Sequence, residues 1–338
     1  MHSDGRATRT ARARIARPSN ALAEQSEHRY RSYLDRWARI LSLVSSESLR
    51  PSLRVDSLPK SMASRLSPVC WMVRYAAVLA ILMPMTNVAA QQKTFNHGAF
   101  DALLRAHVEQ GMVDYDAFAA SADFPRYLAS LAATDPATLD KAEQLAFWIN
   151  AYNAYTIQLI NSHKERQSIR NINKSLGFVK AYGPWKEKLA TVGGTPYGLD
   201  EIEQDIVRKK YREPRIHFAL VCAAMGCPAL RSEAYDGQRL DAQLDDQAKT
   251  FLLKSPAKNR LDLATRTLYV SPIFVEFRDY INDFGGTKAS VGHFIAKYYP
   301  AGPQKDLLES ADYKTVVTKY DWSLNSQERA KRLRTGGR

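Results

Sequence analysis

From Asp140 to Ile160 the chain runs through Leu145-Ala-Phe-Trp-Ile-Asn150-Ala-Tyr-Asn153-Ala-Tyr without a single Gly or Pro. A helix over these residues has apolar side chains on nearly every face, and such a helix is stable in a folded chain only when other elements surround it. The architecture is therefore predicted to have one buried central helix. Asp140 and Glu143 stand in capping-box spacing and predict its start.

The segments on either side are short. Phe95 to Val108 is predicted helical, with Phe100, Leu103, Leu104 and His107 on one side, and Pro125 to Ala133 is a second short helix. Val113 to Tyr115 reads as extended. Leu189 to Val192 and the stretch ending at Leu199 flank Gly193-Gly194 as a hairpin, and Asp200 with Glu203 again has capping-box spacing. Arg215 to Cys222 reads as the strongest strand, closed by a loop holding Gly226, Cys227 and Pro228. Asp236 is predicted to cap a helix carrying Leu240, Leu244, Ala248 and Phe251. Leu261 to Leu263 and Thr267 to Val270 form a second hairpin, Ser271-Pro272 opens a helix ending at Gly285-Gly286, and a last helix ends at Pro300. Helices broken by hairpins predict an α+β fold: a helix-rich single domain with short antiparallel hairpins around the central helix.

Upstream, Tyr75-Ala-Ala-Val-Leu-Ala-Ile-Leu-Met-Pro-Met85 is preceded by Arg65 and Arg74 and followed by Val88-Ala89-Ala90. A basic start, a short apolar centre and a small-residue exit make a secretory signal, placed here at residues 62–90. It is short for a membrane span. Translation is expected to start at Met62 or Met72, with cleavage near Ala90 and a mature chain from about Gln91, periplasmic or secreted. Residues 1–61, with eleven Arg, one Lys and many Ser, read as a non-native or disordered extension. A basic nucleic-acid-binding arm and an uncleaved membrane anchor are the alternatives.

The formal charge of +13 belongs to the ends of the chain. Residues 1–90 hold 14 Lys+Arg against 6 Asp+Glu, and the basic tail 327–338 holds five against one. The globular stretch 91–326 has 29 against 28, which gives no reason to expect a nucleic-acid groove. A membrane partner is expected only through the signal segment, if uncleaved.

Several motifs together resemble the domain of unknown function 547 family: Phe147-Trp-Ile-Asn150-Ala-Tyr-Asn153-Ala, Leu199-Asp-Glu-Ile-Glu203, Arg215-Ile-His217 through Cys222 and Cys227 to Arg231, Ser271-Pro-Ile-Phe274 with Asp283-Phe284, and Tyr320-Asp-Trp-Ser-Leu-Asn325. The resemblance spans about Phe95 to Asn325 and implies a family found among exported bacterial proteins and in plants, with no established activity. Gln204 departs from the pattern, standing where many members are expected to carry His.

Chemistry has to be read from the side chains. His217, Cys222 and Cys227 are the one grouping with both a base and a nucleophile, the catalytic candidates of a Cys/His hydrolase or acyltransferase acting on an amide or thioester. Papain-like and transglutaminase-like chains usually place Cys before His, the reverse of the order here. In an oxidising compartment the same cysteines read as a Cys222–Cys227 disulfide across a short loop. Zinc held by His217, Cys222, Cys227 and Glu203 is the weaker alternative, so no metal and no cofactor are expected. Asn150 and Asn153, three apart on the central helix, are candidates to line a ligand pocket with Glu203, though buried amides also satisfy loop backbone. Trp148, Trp185 and Trp322 would suit a carbohydrate or peptide groove. No phosphate loop, His-Glu-x-x-His, Gly-x-Ser-x-Gly or calcium loop occurs. The leading reading is an exported ligand- or partner-binding domain with a disulfide-pinned loop, its partner a small ligand, an envelope polymer or a protein.

Overall fold

A computed structural model describes residues 93–173 and 183–336. The extension, signal segment and cleavage site expected in residues 1–90 lie outside the described residues. No described helix is long and apolar enough to cross a membrane.

The described chain begins with helix α1 (Gly98–His107), the two-residue strands β1 (Val108–Glu109) and β2 (Met112–Val113), and helices α2 (Tyr115–Ala120) and α3 (Asp123–Ala133). The central helix, α4 (Lys141–Ser162), is buried along both faces from Leu145 to Ile160. Strands β3 (Ala190–Val192) and β4 (Thr195–Tyr197) pair antiparallel across Gly193-Gly194. A helical segment follows: α5 (Leu199–Glu201), a π-helical stretch Ile202–Arg208, and α6 (Lys209–Tyr211). Then come the single turn α7 (Ile216–Ala219), α8 (Leu240–Leu253), the hairpin β5 (Arg260–Asp262) and β6 (Thr267–Val270), α9 (Lys288–Ala296), α10 (Pro303–Ser310), β7 (Lys314–Val317) and α11 (Gln327–Arg334). The fold is α+β and helix-rich, with short antiparallel pairs around α4.

Two hydrophobic clusters divide the interior. The first surrounds α4 with side chains of α1, α2, α3 and β3. The second joins Phe218, α8, β6, α9 and α10 through Phe251, Phe274, Phe284 and Phe294. Tyr320 packs against both.

Several predicted elements differ. Arg215 to Cys222 is not a strand but the turn α7 followed by extended chain. Ile216, His217, Phe218 and Ala219 are all buried, and a run buried on every side carries neither the two-residue nor the 3.6-residue period that separates strand from helix. The segment after Ser271-Pro272 is two 3-10 turns, Pro272–Phe274 and Tyr280–Phe284, rather than one helix. Strand β7 was not predicted, and it pairs parallel to β6, so the sheet is not purely antiparallel. Part of the basic tail is the helix α11, capped by the Ser326 hydroxyl. Gln327 Nε2 donates to the His107 carbonyl at 3.0 Å, and Asn325 accepts from the Tyr115 hydroxyl at 2.7 Å, tying the end of the domain to its beginning.

Candidate functional site

Neither predicted capping box forms. Asp140 makes no side-chain cap. Glu143 instead accepts from the backbone N–H of Gly237 at 2.9 Å and of Phe95 at 3.3 Å. At the second helix start it is Glu201 that accepts from the Gly198 N–H, at 2.7 Å, while Asp200 pairs with Arg278. Glu203 is thereby released from the cap. It lies in the π-helical stretch, whose wider turn is a device often found at functional sites. Its carboxylate accepts from the Tyr280 hydroxyl and from the Tyr152 hydroxyl, the latter at 3.2 Å. Burial pushes both phenols up, so both keep the proton that they donate.

His217 projects from α7. Its Nε2 donates to Asp283 Oδ2 at 2.6 Å, and Asp283 also accepts from Arg208 Nε at 2.7 Å and Nη2 at 3.0 Å. Burial raises the Asp283 carboxyl, but the His217 and Arg208 contacts outweigh it and bring the group down to about 2. The imidazole lies over the Tyr280 ring with centroids 4.2 Å apart. Arg208, Asp283 and His217 thus form a line of charge-assisted hydrogen bonds.

The two cysteines are joined as the Cys222–Cys227 disulfide. The enclosed loop is stitched to the segment after β7: Met225 N–H donates to Ser323 O and Gly226 N–H to Asp321 O, each at 2.8 Å. The Tyr320 hydroxyl stands 3.2 Å from Cys222 Sγ and 3.1 Å from Cys227 Sγ. The Cys222 N–H donates to Cys227 Sγ at 3.1 Å. Cys227 is 2 % exposed, whereas Cys222 is only half-buried.

Glu203, Tyr280, His217, Tyr320 and the disulfide line one cavity of about 290 Å³, while Arg208 and Asp283 stand behind His217 outside it. Trp185, Phe277, Tyr320 and Trp322 form an aromatic wall in which neighbouring ring centroids lie 4.6–6.0 Å apart. Glu203, His217 and the disulfide supply polar and sulfur surface. Asp200, Glu203 and Glu276 contribute three carboxylates to the lining against one guanidinium, Arg278.

Asn150 and Asn153 do not line this cavity. Asn150 exchanges two hydrogen bonds with the Tyr235 backbone, at 2.8 and 2.9 Å. Asn153 donates to Ala219 O and accepts from Val221 N–H, each at 2.9 Å. Both amides are spent on loop backbone that α4 shapes from beneath. Trp148 packs instead on Tyr197 and Phe147. Among the described residues no group of three or more His, Cys, Asp or Glu side chains is arranged to hold a metal ion, and the bridge removes both thiolates from any zinc set.

Residues 136–252 match the family described as "Protein of unknown function, DUF547". The chain carries a DUF547 domain. No curated protein and no solved structure matches it. The matched stretch of the DUF547 protein carries Glu203, His217 and both cysteines. Asp283, Tyr280, Phe277, Tyr320 and Trp322 lie beyond it. Asp283 and Tyr320 sit in motifs that resemble the family, but nothing local marks them as site residues, because their partners are 66 and 93 or more residues away.

Proposed function

We propose that this DUF547 protein is an exported binding domain, and that its cavity takes a small organic cation. The observation that carries the reading is the aromatic wall that shares with Glu203 a cavity whose lining has an excess of carboxylates. Aromatic faces attract cations through the ring quadrupole, most strongly where water is excluded, and ammonium groups held in aromatic boxes are the usual outcome. The volume of about 290 Å³ suits an ammonium head with a short chain, near the lower end of ligand-pocket sizes. Export rests on the signal-like run before Val88-Ala89-Ala90 and is tested by N-terminal sequencing of the protein recovered from the envelope.

Binding is tested by calorimetric titration of the full chain with choline and with its uncharged carbon isostere, in which a tert-butyl group replaces the trimethylammonium. The reading requires that choline bind and the isostere bind several-fold more weakly, with Glu203→Gln narrowing the gap. Equal affinity for both, or no heat from either, overturns the cation assignment. The Cys/His hydrolase reading needs a free thiol, which the bridged state withholds, and it stands behind the binding reading for that reason.

A further inference from the structure

The Cys222–Cys227 bridge lines the cavity rather than lying in the core, and its two sulfurs are differently served. Cys227 Sγ receives two donors, the Cys222 N–H and the Tyr320 hydroxyl, both at 3.1 Å. The one Tyr320 O–H proton is shared with Cys222 Sγ, at 3.2 Å, so the Cys222 N–H is the donor that Cys227 Sγ alone has. A disulfide sulfur is a weak acceptor, whereas a thiolate is a strong one, so donors already aimed at a sulfur favour the state in which it carries charge. Lys258 adds to the same side. Its Nζ donates to the Cys227 carbonyl, and burial lowers the amine to about 8, which leaves it mostly cationic at neutral pH. The more exposed residue of the pair is Cys222.

We propose that this bridge is a thiol–disulfide exchange site in which Cys222 is the sulfur attacked from the cavity and Cys227 is the leaving and resolving thiolate. The co-reactant is a low-molecular-weight thiol or a dithiol. Its thiolate forms a bond to Cys222 Sγ, the Cys222–Cys227 bond breaks, and the electron pair leaves on Cys227 Sγ, where the Cys222 N–H and the Tyr320 hydroxyl receive it. A second thiol then attacks the incoming sulfur of the mixed disulfide. It releases Cys222 as a thiol and leaves the co-reactant oxidised by two electrons. In reverse, the Cys227 thiolate attacks Cys222 of the mixed disulfide and restores the bridge. The assignment goes beyond ligand binding and does not depend on it.

Tyr320 is the positioning residue. Burial holds its phenol well above the usual range, so it remains a donor throughout. Its ring is seated by Gly226, whose missing side chain leaves room for it.

The test treats the full-length native protein with reduced glutathione and maps the trapped mixed disulfide by peptide mass, which separates it from Cys70. Glutathione is expected on Cys222, without denaturant. Tyr320→Phe is expected to slow bridge opening about tenfold, the loss of one hydrogen bond to a charged group. The Cys227 thiol pKa, read from the pH dependence of alkylation in Cys222→Ser, should lie below the ordinary thiol value and rise when Tyr320→Phe is added. A Tyr320 that only packs would leave that pKa unmoved. Glutathione on Cys227, opening only after unfolding, or an opening rate unaffected by Tyr320→Phe in the native chain each overturns the proposal.

Discussion

The ring of Tyr320 lies over the α-carbon of Gly226, so close that a β-carbon there would stand 2.8 Å from three ring atoms. Gly226→Ala must therefore push the ring off the loop, and the expected cost is about 1–3 kcal/mol, the range for overpacking a filled site. Urea unfolding measures it. In a Tyr320→Ala background the same substitution should cost much less, because the ring it collides with is gone; equal costs in both backgrounds would mean that the contact does not matter.

Asn153 joins α4 to the backbone on both sides of Leu220. Asn153→Ala leaves a buried carbonyl and a buried N–H without partners, which costs about 2–4 kcal/mol for the two groups. The urea midpoint is expected to fall by a corresponding amount. Choline affinity of the folded fraction should change little, since the amide does not touch the cavity.

Acid should uncouple His217 from Asp283. The Asp283 carboxyl is lowered from 3.8 to about 2, so its stabilisation is complete above 3.8 and is lost as the pH falls toward and through 2. With its side chain 29% exposed, the group contributes about 1–2 kcal/mol at neutral pH. Asp283→Asn should be less stable than the parent by that amount at pH 7, and the gap should close near pH 2. A gap that stays constant across this range would separate the stabilisation from the charge.

At the cavity rim, Arg278 pairs with Asp200 and both are partly solvated. Arg278→Gln removes the one guanidinium in the lining and should raise choline affinity a few-fold at low salt, with the gain shrinking as salt is added. Stability should move by less than about 1 kcal/mol, as expected for an exposed pair. Weaker binding in this variant would argue for an anionic ligand instead.

The central helix was legible because the stretch from Asp140 to Ile160, without Gly or Pro and apolar on nearly every face, admits only one placement. The disulfide was legible from two cysteines five residues apart, the second held between Gly226 and Pro228. The path of Arg215 to Cys222 was not, since burial on every side erases the period that would have marked it as helical. Asn150 and Asn153 were rightly placed on the buried helix, yet spacing cannot say whether an amide faces a ligand or a loop, and here the Tyr235, Ala219 and Val221 backbone takes both. Asp283 and Tyr320 reach His217 and the sulfurs only through tertiary folding, and nothing local in their neighbourhoods records that meeting.

The family match stops at residue 252, while the groups that complete the cavity run from Ile273 to Trp322. A protein trimmed to the matched stretch would keep the imidazole and the sulfurs but lose the aspartate under the first and the phenol above the second. Its bridge would face open water, and its chemistry would be that of any exposed cystine. The smallest unit whose behaviour can be compared between relatives therefore extends at least through Trp322, and an alignment of relatives is informative about this site only where it carries that second half.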